Sequence, residues 1–286
     1  MGPLNGTPRI LVFDSGVGGL SILAEIRQRL PACQFIYASD NAAFPYGVKS
    51  EAELVARVDQ VLHALLARHP ADILVMACNT ASTLTLPHIR SRFSQPIVGV
   101  VPAIKPAAAR SRSKVIGLLA TPATIARPYT QALIDEHAAQ CQVIRVGSSD
   151  LVRMAEACLR GQTPDPEALA HILAPFKAPE AQRLDTLVLA CTHFPLLRQF
   201  LAPLLPGVDL VDSGEAIARR VEYLLGEHFG LRQEELTRNN ASEHLALFTR
   251  NGADVEALRQ PLANFAIEQL QVLSLPYRSS HEEAAP

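Results

Sequence analysis

The chain has almost no surplus of charge. It carries 26 Lys and Arg against 28 Asp and Glu, a formal net charge of −2, so neither nucleic acid nor an anionic membrane is the default partner. Long apolar runs are missing as well. The longest are strand-length, far short of a bilayer span, and no transmembrane helix is expected. The opening stretch MGPLNGTPR contains no apolar signal region, which leads to the expectation of a cytoplasmic protein. No C-x-x-C pair occurs, and the five cysteines (Cys33, Cys78, Cys141, Cys158 and Cys191) are odd in number. Free thiols are therefore expected rather than a disulfide framework. The histidines form no cluster at ligand spacing, so no metal is expected. None of the four lysines, Lys49, Lys105, Lys114 and Lys177, lies in a recognisable Schiff-base setting, and no pyridoxal cofactor is expected.

What is present is ample for a core: 286 residues, 48% hydrophobic and 19% charged, enough for one large domain or two small ones. Strand-like apolar runs occupy 10–13, 34–38, 73–77, 97–101, 115–119, 143–146, 187–190 and 208–211. Helix-length amphipathic segments lie between most of them, at 18–30, 50–68, 124–139, 165–173 and 214–228. Alternation of this kind predicts an α/β fold with largely parallel sheets and chemistry at the carboxyl ends of the strands. Further on, 244–250 reads as a last strand, 253–262 as a helix, and the final RSSHEEAAP as disordered.

Two phrases occur twice. LVMACNTAS (74–82) is echoed by LVLACTHFP (187–195), and VFDSG (12–16) by LVDSG (210–214). One echo is how any buried strand might end. Two predict a pair of similar α/β lobes, 1–98 plus 212–286 and 99–211, with a cleft between them and one cysteine loop in each. A thiol at a strand end just before a helix meets the positive end of the helix dipole, a setting that favours the thiolate. Cys78 and Cys191 are accordingly the candidate reactive thiols, whereas Cys33, Cys141 and Cys158 read as packing residues. Asn79, Thr80 and Thr192 are good donors to a carboxylate, and His193 is placed to hold or exchange the Cys191 proton. Two thiols on opposite walls suit proton transfer at two faces of one carbon, hence racemisation or epimerisation.

The Gly-rich DSGVGGLS (14–21) matches neither G-x-G-x-x-G nor a P-loop. It reads instead as a tight turn presenting Asp14 and Ser15, with Asp14 available to a substrate ammonium, to the Cys78 proton, or simply as a cap. DNAAFPYG (40–47) is explained by turn chemistry alone. Thr121 and Thr124 in GLLATPATI are either anion donors or helix caps.

DSGVGGLSIL, the PYG turn, ACNTAS, GLLATPATI and ACTHFPLL, in this order from about residue 9 to 225, closely resemble the cofactor-independent glutamate racemases of the aspartate/glutamate racemase superfamily. The resemblance implies an active site between two α/β lobes and conversion of L- to D-glutamate for peptidoglycan. It implies that Cys78 and Cys191 are the proton donor/acceptors, Cys78 acting on the D- and Cys191 on the L-enantiomer. It also implies that Asp14, Ser15, Tyr46, Gly47, Asn79, Thr80, Thr192 and His193 bind substrate, and Thr121 joins them as a candidate from its own strand-end loop. Asp14, His193 and, by the resemblance, Glu156 in DLVRMAEA are expected to assist the catalysis. Two departures stand out: Phe194 where Tyr is usual, and SDNAAFPYG for the commoner GD-x-x-x-x-PYG. The partners expected are glutamate and at most a second copy of the chain in a homodimer. Rival readings are an aspartate or broad-specificity racemase, a two-lobed binding protein without turnover, and a thiol-dependent decarboxylase or isomerase of the same superfamily.

Overall fold

The computed structural model describes residues 6–238, 243–273 and 275; the expectation for the final RSSHEEAAP lies outside them. The chain first runs β1 (Arg9–Asp14), α1 (Leu20–Arg29), β2 (Gln34–Ser39), α2 (Glu51–Arg68), β3 (Ile73–Met76), α3 (Asn79–Arg92) and β4 (Ile97–Gly99). It continues with α4 (Ile104–Arg110), β5 (Val115–Ala120), α5 (Pro122–Ala126), α6 (Pro128–His137), β6 (Gln142–Gly147), α7 (Asp150–Leu159), α8 (Pro166–Leu173), β7 (Thr186–Leu189), α9 (Arg198–Leu201) and β8 (Asp209–Val211). It closes with α10 (Gly214–Phe229), α11 (Gln233–Leu236), β9 (His244–Phe248), α12 (Ala253–Glu256), α13 (Arg259–Ala263) and β10 (Ile267–Val272).

Two sheets result, one of order β10-β9-β2-β1-β3-β4 and one of order β6-β5-β7-β8. Every described pairing is parallel. Period-two alternation splits each strand between two cores. In β1, Ile10 and Val12 face the α1/α10 side with Leu23 and Val221, while Leu11 and Phe13 face the α2/α3 side with Val58 and Ile89. In β5, Leu119 and Leu118 are shared in the same way between two cores of the second sheet.

Local chemistry explains the boundaries. Ser50 and Glu53 form a reciprocal capping box that starts α2, which then buries Leu54, Val58, Val61, Leu62 and Leu65 on one stripe. Gly230, at φ +71, ends α10 in the left-handed region. The single helix expected over 124–139 is broken instead. Arg127 precedes Pro128 and is extended (φ −76, ψ 136), as the proline ring requires, so α5 and α6 are separate. The helix expected over 253–262 also splits, into α12 and α13. The strand expected over 97–101 stops at Gly99.

The strand at 208–211 pairs with β7, and α10 then packs on α1 beside the first sheet. The chain thus passes between the sheets near Val101 and again near Ser213, and Ser213 Oγ donates to Val101 O at 2.5 Å, tying the two passages together. The DSG echo is structural as well as verbal. Asp14 Oδ1 accepts the Gly16 N–H at 2.9 Å and Asp212 Oδ1 the Gly214 N–H at 2.8 Å. No helix among the described residues is long and apolar enough to cross a membrane.

Candidate active site

The functional candidates converge because both sheets present the carboxyl ends of their strands to the same space. Asp14 closes β1, Cys78 follows β3 and precedes α3, Thr121 follows β5, and Cys191 follows β7. A cavity of about 450 Å³ lies there, lined from one side by Ser15, Tyr46, Gly47, Cys78, Asn79 and Thr80 and from the other by Thr121, Thr124, Cys191, Thr192 and His193. Phe44, Ser149, Val152 and Arg153 also reach it; nothing in their sequence context marks them. Asp14 and Glu156 stand behind the wall, each touching a residue that lines it.

On the second lobe's side a relay runs inward. Cys191 Sγ lies 3.8 Å from His193 Nδ1, and His193 Nε2 lies 2.9 Å from Glu156 Oε1. Glu156 is fixed further by the Val17 N–H at 2.9 Å and by Arg160 Nη1 at 2.8 Å on its second oxygen. Burial acts to raise the Glu156 carboxyl, yet the His193 hydrogen bond and charge, the Val17 N–H and Arg160 hold it at about 2. Burial likewise opposes the His193 cation, but the bonds to Cys191 and Glu156 carry its pKa well above the ordinary imidazole value.

The first lobe supports this relay through its glycines. The Val17 N–H that meets Glu156 and the Ser21 hydroxyl, which donates to Thr192 O at 2.8 Å, both come from DSGVGGLS. A Cβ on Gly16 would stand 2.4 Å from Glu156 Oε1, and one on Gly18 2.4 Å from His193 Nδ1. The glycines are there for close approach, not for phosphate binding. Gly18→Ala should therefore displace the imidazole and lower kcat at least about tenfold, with far-ultraviolet circular dichroism unchanged; parent-level kcat would show the contact to be slack.

Cys78 is supported differently. Its sulfur lies 3.7 Å from Ser15 Oγ, which in turn donates to Asp14 Oδ1 at 3.3 Å. Asp14 is fully buried, and its other oxygen accepts from Thr192 Oγ1 of the facing lobe at 3.0 Å. It caps the turn at Gly16 rather than helix α1, whose N-cap, Gly19, has no side-chain hydrogen bond.

The helix-dipole expectation needs correcting at both cysteines. At Cys78 the helix is present, but burial and the Asp14 charge push the thiol up to about 12, against the Ala81 N–H and Ser15 hydroxyl that favour the thiolate. Desolvation of a buried sulfur outweighs one helix terminus. After Cys191 there is only a 3-10 turn, Phe194–Leu197, and the four-residue α9, too little helix for a substantial dipole.

The remaining candidates line the cavity with varied freedom. Asn79 and Thr80 open α3, both buried, and Asn79 Oδ1 has no protein partner, which leaves an acceptor for a ligand. Thr121 caps α5 by accepting the Thr124 N–H at 3.3 Å and meets the Thr124 hydroxyl at 2.9 Å; it is cap and lining residue at once. Gly47 has open space where a side chain would be. Phe194 is fully buried in the apolar core of the second lobe, so the absent hydroxyl costs the cavity no polar group.

One constellation escaped the sequence reading. Asp40, which opens the DNAAFPYG turn, is fully buried and accepts from Tyr46 Oη at 2.6 Å, Arg57 Nε and Nη2 at 2.9 and 2.7 Å, and Thr249 Oγ1 at 2.6 Å. This brace fixes Tyr46 in the cavity wall. Only the pairing of β2 with β9 brings Thr249 to it, across a separation in sequence that no local pattern records.

Comparison with known proteins agrees with the geometry. Residues 15–221 match the Asp/Glu/Hydantoin racemase family. Glutamate racemase of Photorhabdus laumondii is 49% identical over 267 residues, 93% of this chain and 91% of that protein; that of Pectobacterium carotovorum is 54% identical over 224 residues, 78% of each. Among solved structures, Escherichia coli glutamate racemase in complex with L-glutamate and the activator UDP-MurNAc-Ala superposes with a TM-score of 0.86 at 45% identity, covering 94% of this chain and 98% of that one. The Thermus thermophilus enzyme in complex with β-chloro-D-alanine does so with a TM-score of 0.71 at 31% identity, covering 94% and 97%. With two thiol loops facing one cavity and a match spanning most of its length, the chain belongs to the Asp/Glu/hydantoin racemase family.

Proposed function

We propose that this racemase interconverts L- and D-glutamate by two-base proton transfer at the α-carbon, supplying D-glutamate for peptidoglycan. The observation that carries the reading is the pair of thiols, Cys78 and Cys191, borne on strand ends of different sheets and lining one cavity. One sulfur, as thiolate, takes the α-proton; the electron pair left on carbon delocalises into the α-carboxylate; the opposite thiol returns a proton to the other face. In the L-to-D direction Cys191 is the base and Cys78 the acid, and the roles exchange in reverse.

The α-proton is a weak acid, so the transition state must be stabilised where charge grows. Donors held around the carboxylate, with water excluded, do this. Asn79, Thr80, Thr121 and Thr192, with the N–H groups of their loops, are the residues placed for it. His193, held by Glu156, exchanges a proton with the Cys191 sulfur, and Asp14 with Ser15 serves the Cys78 side. No step in this scheme calls for a cofactor, and the reading places the enzyme in the cytoplasm.

Optical rotation or circular dichroism of the purified protein with L- and with D-glutamate, without added cofactor, tests the reading. Both enantiomers should reach the same 1:1 mixture, with aspartate turned over far more slowly, and pyridoxal phosphate should add nothing after exhaustive dialysis. Preference for aspartate would favour the broader racemase; binding of glutamate without turnover would leave a two-lobed binder.

A further inference from the structure

The surroundings of Cys78 oppose its ionisation. Burial, the Asp14 carboxylate and the Cys191 sulfur oppose its charge, and the Ala81 N–H and Ser15 hydroxyl support it. Tyr37 and Tyr46, which also face it, are kept protonated by their own burial. Besides His193, Arg127 brings a cation from the other lobe. Pro128 forces Arg127 out of helical conformation, and the Arg127 carbonyl accepts the Thr130 and Gln131 N–H groups at 3.0 and 3.3 Å, so its backbone is pinned at the α5–α6 break. From there the half-buried side chain crosses the cleft, and Nη1 donates to Thr80 O at 3.4 Å. Thr80 lines the cavity two residues from Cys78.

Burial weakens the Arg127 cation, and the charges of Cys78 and Glu51 sustain it. A half-buried guanidinium held by one long hydrogen bond is a poor structural strut and a ready source of positive charge.

We propose that Arg127 is an electrostatic positioning residue for the Cys78 half of the reaction: its guanidinium, delivered from the second lobe onto the first turn of α3, supports negative charge on the Cys78 sulfur. That charge is present when Cys78 acts as base, and it appears when Cys78 gives up its proton to carbon. The inference rests on the two-thiol reading of the site. It makes the joining of the two lobes chemically consequential, because the charge reaches Cys78 only while Arg127 spans the cleft.

The test is site-resolved alkylation by iodoacetamide, followed by mass spectrometry of each cysteine peptide in the full-length protein at pH 8. The rate at a thiol reports its thiolate fraction. Arg127→Gln should slow Cys78 about tenfold, the factor that a shift of one pKa unit gives. Cys191 should be unchanged, and Arg127→Lys should restore most of the Cys78 rate. In racemisation, Arg127→Gln should lower kcat more than it alters KM. An unchanged Cys78 rate in Arg127→Gln, or an equal fall at both cysteines, overturns the proposal, the second by showing a general loss of structure. Failure of the two-thiol reading shows itself separately, as racemisation surviving Cys78→Ser.

Discussion

Cys78→Ser and Cys191→Ser should each abolish racemisation, lowering kcat by at least about a thousandfold, because a serine hydroxyl is far too weak an acid to be the ionised base at neutral pH. What remains should differ between them. Elimination of hydrogen halide from a β-halogenated glutamate needs one base only, so each variant keeps it for a single enantiomer. Cys78→Ser, retaining Cys191, should process the L-analogue, and Cys191→Ser the D-analogue. The two sulfurs line the cavity from separate lobes, which is why their handedness should be opposite. If both variants process the same enantiomer, or either still racemises glutamate at near-parent rate, the paired loops are structural echoes.

Glu156→Gln should lower kcat by about a hundredfold, the scale of a displaced acid–base partner. The amide still accepts the Val17 N–H, so position is largely kept and charge is removed. The fall in kcat/KM must be equal for L- and D-glutamate, since the enantiomers are equal in free energy and the equilibrium constant is one. Titration of His193 by NMR should show its pKa falling towards the ordinary value, because the Glu156 charge is among the causes that raise it.

Stability carries a sign that can be checked. The folded Glu156 pKa is depressed, so its contribution is present above the ordinary 4.5 and is lost as pH falls towards about 2. The folded His193 pKa is raised, so its contribution is present below the ordinary 6.5 and is lost as pH rises through the higher folded value. The pair therefore counts fully between about pH 4.5 and 6.5. There Glu156→Gln should cost about 3 kcal/mol in denaturant unfolding, less at pH 2. A pH-independent cost would show that His193 and Glu156 are merely packed together.

Much of this was legible in one dimension. The strand runs, the two Ala-Cys loops and the two Asp-Ser-Gly turns are local, and local pattern is what period-two burial and strand-to-helix turns write into a sequence. Cys78, Cys191, Asn79, Thr80, Thr192 and His193 sit within a few residues of strand ends, so their position in a parallel α/β fold follows once the strands are found. Helix α3 was harder to see, because Pro87 lies inside it and its apolar stripe is weak. Strand β10 leaves little trace in the sequence because it is an edge strand that buries little beyond Ile267.

The sequence by itself determined the thiols, the loops that carry them and the α/β class, because each depends on neighbours in the chain. Only the tertiary structure decided how the thiols differ. Cys191 gains His193 and Glu156, the latter held by an N–H of the opposite lobe. Cys78 is pushed up by burial and Asp14, and Arg127 reaches the first turn of α3 from the far side of the cleft. The Asp40–Arg57–Tyr46–Thr249 brace likewise forms only when β9 pairs with β2. Desolvation and Coulomb interactions depend on distance in space and on what excludes water, and neither quantity is written in the order of residues.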